Sequence, residues 1–181
     1  MTELNLLILS GSLRKEATNR KLAREAARLF GAADVVEGDL NLPLYDGDLE
    51  SAEGIPAAVQ RLADQVAAAD AVVISTPEYN KGPSGVLKNA LDWVSRTEGN
   101  PWLGKPVAVM SAAAGRAGGE RAQMILRSFL VPFRPHVLPG PEVHLAGSSK
   151  EFDESGHLTS EQYTKTLNEL MQHLRSAAER A

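Results

Sequence analysis

Three apolar runs constrain the fold of this chain more than any other feature. LNLLIL (residues 4–9), AVVIST (71–76) and PVAVMSA (106–112) contain no charged residue. A strand with one face in water alternates apolar and polar residues, whereas an uninterrupted apolar run suits a strand covered on both faces, as in a parallel sheet between two helical layers. The segments between the runs have helical period. Residues 19–30 carry Leu22, Ala23, Ala26, Ala27, Leu29 and Phe30, a spacing that puts most of the apolar atoms on one stripe. Further helices are expected over 55–69, with Pro56 in the first turn, over 84–96 and over 120–131. A last helix opens with a capping box of Thr159 and Gln162.

Two strands are less regular. Residues 34–37 form a short second strand at or near an edge, and 136–143 hold Pro139 and Pro141, so a fifth strand there lies at an edge or ends early. NLPLYDGDLE (41–50) and the Gly- and Ser-containing stretch 140–156 are expected as loops. Five strands with helices between them give a three-layer α/β/α fold. The length favours a flavodoxin-like doubly wound parallel sheet of order 2-1-3-4-5 over a six-stranded dinucleotide fold. With 181 residues, the chain is expected to be one domain over 1–181.

A net charge of -4 argues against nucleic acid as the partner, since binding a phosphate backbone needs a clustered basic face. The absence of cysteine removes disulfides, thiolate nucleophiles and cysteine-based metal sites. His136, His144, His157 and His173 are too scattered for a local metal motif. The first apolar run is too short to span a bilayer, so no membrane association and a cytoplasmic location are expected.

In a doubly wound sheet, ligands sit beyond the C-terminal ends of the strands. The informative loops are therefore those after the three apolar runs. Ser10-Gly11-Ser12-Leu13-Arg14 leads to Thr18-Asn19 at the start of a helix. A helix N-terminus offers free N–H groups and about half a positive charge. Gly11 admits close backbone approach, Ser12 and Thr18 offer hydroxyls, Asn19 an amide and Arg14 a planar cation, a set that suits one terminal phosphate. The same residues would also serve as plain helix caps beside a solvated arginine. Neither GxxxxGK followed by Ser or Thr, nor GxGxxG after the first run, is present.

The second loop begins TPEYN (76–80). Pro77 biases Thr76 towards extended backbone. Glu78, Tyr79 and Asn80 then reach the rim, where Tyr79 can stack on a planar ligand and Asn80 can read its carbonyl and ring-nitrogen positions. The third loop starts at Ser111 and runs through three alanines to Gly115, small residues that a flat heterocycle can approach.

GSLRKEATNRKLA (11–23), LPLYDGD (42–48), TPEYNKGPSGVLKNALDW (76–93) and LGKPVAV (103–109), taken together and in this order, resemble the NADPH-dependent FMN reductase family. These flavodoxin-like flavoproteins include bacterial quinone, chromate and azo-dye reductases. The resemblance implies FMN as cofactor, NADPH or NADH as co-substrate, and hydride transfer to a small-molecule electron acceptor such as a quinone, chromate, an azo compound or free flavin. It further implies that Ser12, Arg14, Thr18 and Asn19 bind the phosphate, that Pro77, Glu78, Tyr79 and Asn80 line the ribityl chain and isoalloxazine, and that Ser111 with the loop to Gly115 completes the cradle. No side chain is expected as a catalytic acid or base.

The apolar face of Val86, Leu87, Ala90, Leu91, Trp93 and Val94, with the resemblance, points to a homodimer or homotetramer in which residues 44–50 reach a neighbouring flavin. A rival reading is a flavodoxin-type electron carrier that binds FMN without nicotinamide turnover of its own; such carriers present strongly acidic docking faces. A receiver-type signalling domain would instead need acidic residues where Ser10, Gly11 and Ser12 stand.

Overall fold

The structure, a computed structural model, describes residues 4–181. Strand β1 (Leu4–Ser10) lies between β2 (Ala33–Gly38) and β3 (Ala71–Thr76), and β4 (Pro106–Ala112) follows β3, all of them parallel. The sheet order is β2-β1-β3-β4-β5, the flavodoxin-like arrangement expected from the sequence. From β1 the chain winds outwards to β2 and then crosses back to β3, so the winding reverses between β1 and β3 and leaves a crevice there. Pairing of Ser10 with Ser75 and of Thr76 with Ser111 keeps the ends of the three central strands level.

Helices α1 (Thr18–Phe30) and α6 (Glu161–Ala178) cover one face, packing Leu22, Phe30, Leu167 and Leu174 on Leu6, Ile8, Val73 and Met110. On the other face α3 (Ala57–Ala68), α4 (Gly85–Val94) and α5 (Glu120–Leu130) pack Leu62, Leu87, Leu91 and Leu126 on Leu7, Leu9, Ile74 and Val109. Consecutive residues of β1 thus enter opposite cores, which is why its sequence has no polar alternation. Each such side chain contributes about 1.5–3 kcal/mol by leaving water.

The structure differs from expectation where elements bury little. Part of the stretch expected as a loop is α2 (Gly47–Glu53), which buries none of its residues and so has no apolar stripe to reveal it. It is started by Asp46, whose carboxylate accepts from the Asp48 N–H at 2.9 Å, with Asp48 and Glu50 at the positive end of the helix dipole. The segment is held to α4 by Tyr45, edge-on to Trp93 at 5.0 Å, and by the Trp93 indole N–H, which donates to Pro43 O at 2.7 Å. Pro56 is the N-cap of α3 and not its first helical residue, and Ser160, not Thr159, caps α6 by accepting from the Tyr163 N–H.

The fifth strand is two short pieces, β5 (His136–Val137) and β6 (His144–Leu145), both parallel to β4. They are separated by Pro139 and Pro141, which have no N–H for a ladder. The stretch 140–156 is accordingly not all surface loop: Val143 and Leu145 belong to the core. Among the described residues no helix is long and apolar enough to cross a membrane.

Asn19, in the first turn of α1, is only 3% exposed. Its Nδ2 donates to Ala112 O at 2.8 Å, and its Oδ1 accepts from Ala112 N and Ser75 Oγ, both at 2.9 Å. One side chain therefore ties a helix to the ends of two strands. Removing it strands buried partners, and each unsatisfied group costs about 1–3 kcal/mol. Asn19→Ala is expected to lower the unfolding free energy of the apoprotein by about 3 kcal/mol in urea denaturation. A loss below about 1 kcal/mol would mean that water takes over the contacts.

Candidate functional site

A cleft of about 300 Å³ opens beyond β1, β3 and β4. Ser12, Arg14, Thr18 and Asn19 line it from the α1 side, and Pro77, Glu78 and Tyr79 from the β3 side. Ala112, Ala113 and Ala114 lie between them, and Ser148 and Ser149 close the end near Thr18.

The first loop is set by a close approach. The Gly11 N–H donates to Ser75 O at 2.9 Å, and its carbonyl accepts from Ser84 Oγ at 2.6 Å. A Cβ on Gly11 would lie 2.8 Å from Pro77 Cδ and 3.1 Å from Ser84 Oγ, so the residue is needed for contact between two loops. Ser84 Oγ also accepts from Leu87 N at 3.3 Å and caps α4.

The chain then enters α1 through Ala17, an N-cap that makes no side-chain capping bond. Arg20 N and Lys21 N both bond to Ala17 O, while the preceding amides of the turn have no place in the helical ladder. No acidic residue sits in this turn. Thr18 Oγ1 is 3.0 Å from Ser148 Oγ, and Ser148 N donates to Ala113 O at 3.1 Å, so the far end of the cleft is stitched to the loop after β4.

After β3, Tyr79 and Gly82 exchange backbone hydrogen bonds of 2.9 and 3.1 Å around Asn80 and Lys81. Both central residues have positive φ, 50° and 72°, the sign pattern of a type I′ turn. Asn80 therefore occupies the turn tip and does not line the cleft, while Tyr79, 52% exposed, stands over it. Glu78 turns towards α5, where its Oε2 accepts from Ala122 N at 3.2 Å. A carboxylate there meets the positive end of a helix dipole.

After β4, Ser111 is fully buried. Its Oγ donates to Gly118 O at 2.6 Å and accepts from Gln123 Nε2 at 2.9 Å, so it braces the loop from below and lies outside the cleft. Gly118 and Gly119, both at positive φ, pack so tightly that a Cβ would run into the His144 backbone from the first and into the Ser111 side chain from the second. This part of the loop is a close-packed junction between β4, β6 and α5. Gly115 lines a second cleft of about 580 Å³, which shares Glu78, Ala113 and Ala114 with the first and continues past Lys81, Arg116 and Arg121.

Most of the residues selected from sequence thus converge on one cleft, and Asn80, Ser111 and Gly115 stand apart from it. Asn19 lines the cleft, yet its amide is spent on Ser75 and Ala112, which leaves its backbone N–H as what it offers a ligand. Sequence reasoning missed Ser148 and Ser149. The signal available was Gly147-Ser148-Ser149, a glycine at positive φ before two hydroxyls, which resembles any surface turn unless its burial is known.

The sequence profile of the family described as NADPH-dependent FMN reductase matches residues 4–150. An NAD(P)H-dependent FMN reductase of Pseudomonas aeruginosa is 40% identical over 174 residues, which cover 95% of this chain and 94% of that protein. A quinone reductase of Escherichia coli is 42% identical over 143 residues, 77% of this chain and 76% of that one. Among solved structures, the flavoenzyme NAD(P)H:(acceptor) oxidoreductase FerB of Paracoccus denitrificans superposes with a TM-score of 0.88 at 31% identity, covering 98% of both chains. The family's profile spans most of the chain and the Pseudomonas relative nearly all of it, and the chain belongs to the NADPH-dependent FMN reductase family.

Proposed function

We propose that the first cleft seats FMN and that the protein moves a hydride from NAD(P)H to quinone-like acceptors. The observation that carries the seat is the uncapped first turn of α1, which opens into the cleft beside Arg14 with no carboxylate of its own. Backbone N–H groups at a helix N-terminus and a planar guanidinium are the donors a phosphate monoester takes. Ser12 and Thr18 supply hydroxyls at that end, with Ser148 and Ser149 opposite. Beyond them the cleft is lined by Pro77, Tyr79 and three alanines, surfaces suited to a flat apolar ring. FMN therefore fits the donor set.

Bound FMN supplies reversible two-electron chemistry, accepting a hydride from reduced nicotinamide and passing it on. The chain contributes position and exclusion. The cross-link through Asn19 fixes the phosphate end relative to β3 and β4, Tyr79 shields one side of the ring, and the alanine floor leaves room for the nicotinamide and then the acceptor. No acid or base of the chain is required. The quinone reductases among the relatives support a quinone-like acceptor, and the need for NAD(P)H supports a cytoplasmic location.

The assignment of Arg14 predicts that Arg14→Ala weakens FMN binding by about 10- to 100-fold in titration of the apoprotein, the equivalent of one or two charge-assisted hydrogen bonds. Its unfolding free energy in urea should stay within about 0.5 kcal/mol of the parent, because the residue is exposed. Equal FMN affinity would remove Arg14 from the site. For the whole reading, the purified yellow protein should oxidise NADPH or NADH with a benzoquinone acceptor. Flavin binding without turnover would make the protein an electron carrier.

We further propose that 1–181 forms one FMN-binding unit that assembles as a homodimer or homotetramer. The segment ahead of α2 supports this. The Arg96 guanidinium, hydrogen-bonded to Glu50, holds that carboxyl below its usual range, and Glu50 in turn accepts from the Tyr45 hydroxyl at 3.0 Å. So clamped, the segment presents Leu44 with 81% of its surface in solvent, an apolar side chain that a second subunit would cover. Light scattering should give a dimer or tetramer mass for the parent and a smaller species for Leu44→Asp; a monomeric parent overturns the assembly.

A further inference from the structure

The second cleft is floored by Ala113, Gly115, Gly118 and Gly119, and it opens off the first across Glu78. Whatever enters it reaches the proposed flavin seat from the side away from α1. Its rim carries three cations from two separate segments: Lys81 in the turn after β3, and Arg116 and Arg121 flanking the start of α5. All three are exposed, and among the described residues none takes part in ion pairs of the kind that occupy Arg24, Arg28 and Arg96.

Two carboxylates also border the cleft, Glu78 and Glu120. Glu78 is committed to Ala122 N at 3.2 Å, and Glu120 lies in the first turn of α5, where the helix dipole favours it. The helix end is therefore already compensated, and an anion arriving here would be held by the side chains of the rim.

Both nicotinamide nucleotides carry a pyrophosphate, but only NADPH has a phosphomonoester on the adenosine ribose, worth about one and a half to two further negative charges at neutral pH. Resting on the assignment of FMN to the first cleft, we propose that Lys81, Arg116 and Arg121 form a phosphate-recognising rim that binds the 2′-phosphate of NADPH and makes the enzyme prefer NADPH to NADH. Two arginines offer planar, bidentate donor sets for phosphate oxygens, and the lysine adds a mobile point charge opposite them. The small residues of the floor leave the rest of the nucleotide room to lie against the backbone.

Two measurements on the FMN-loaded protein test this. In calorimetry, 2′,5′-ADP should bind the parent at least about tenfold more tightly than 5′-AMP, one charge-assisted contact or more. The Arg116→Ala/Arg121→Ala double variant should abolish that difference. In steady-state assays with a benzoquinone, the parent should favour NADPH in kcat/KM. The double variant should lose about tenfold or more for NADPH through KM, with NADH changed by less than about twofold. The Arg116→Lys/Arg121→Lys variant should recover part of the preference. Lys81→Gly, which removes the charge at a φ that glycine adopts without strain, should lower it in the same direction.

An unchanged NADPH-to-NADH ratio, an equal loss for both nucleotides, or a parent that prefers NADH overturns the proposal. Visible flavin absorbance of each preparation separates these outcomes from failure of the first assignment. A protein that takes up no FMN contradicts the flavin seat, whereas one that is yellow and indifferent to the 2′-phosphate contradicts only the rim.

Discussion

The side chain of Asn19 holds together the part of the molecule on which function depends. Parallel strands end without any covalent link to one another, and their C-terminal loops are free to diverge. Here the first turn of α1 is bonded through one amide to Ser75 at the end of β3 and to both backbone polar groups of Ala112 at the end of β4. A misplacement of any of the three elements would leave buried polar groups without partners, so the arrangement is strongly specified. The amide sits beside the proposed phosphate end of the cleft and ties that end to both strands.

A second constraint is the absence of side chains where loops touch. Gly11 lets the loop after β1 lie against Pro77 and Ser84, and Gly118 and Gly119 let the loop after β4 lie against β6 and the Ser111 hydroxyl. At the last two positions the backbone also has positive φ, so an alanine would meet both a steric and a conformational cost. These contacts bring the walls close without filling the space between them. The cleft is shaped by tight packing under its floor.

How much of this could be read from sequence depended on how much each segment buries. β3 and β4 are legible to the residue because both of their faces are covered, so every position must be apolar or internally bonded. α2 was not legible, since it buries nothing and is held by caps and by Tyr45 on Trp93, a contact between residues far apart in the chain. The residue types of the site were legible as a set, but not their division of labour. Asn19 and Ser111 have polar groups that could serve a ligand or the fold, and only their buried partners assign them to the fold. Ser148 reaches the cleft through a bond to Ala113 that no local pattern announces.

Two of the helix N-termini at this end of the sheet, those of α1 and α5, are treated in opposite ways, and this divides the proposed ligands between them. At α1 the N-cap is an alanine and the first turn has no carboxylate, so its amides and dipole are left for an anion. At α5 the Glu78 carboxylate reaches from another loop to bond Ala122 N, and Glu120 adds a second negative charge. An anion in the first cleft would thus be gripped mainly by fixed backbone donors, which favour one geometry and long residence. One in the second would be held mainly by Lys81, Arg116 and Arg121, long exposed side chains whose attraction is screened by salt and whose release is easy. A cofactor that stays and a co-substrate that must leave in every turnover make those opposite demands.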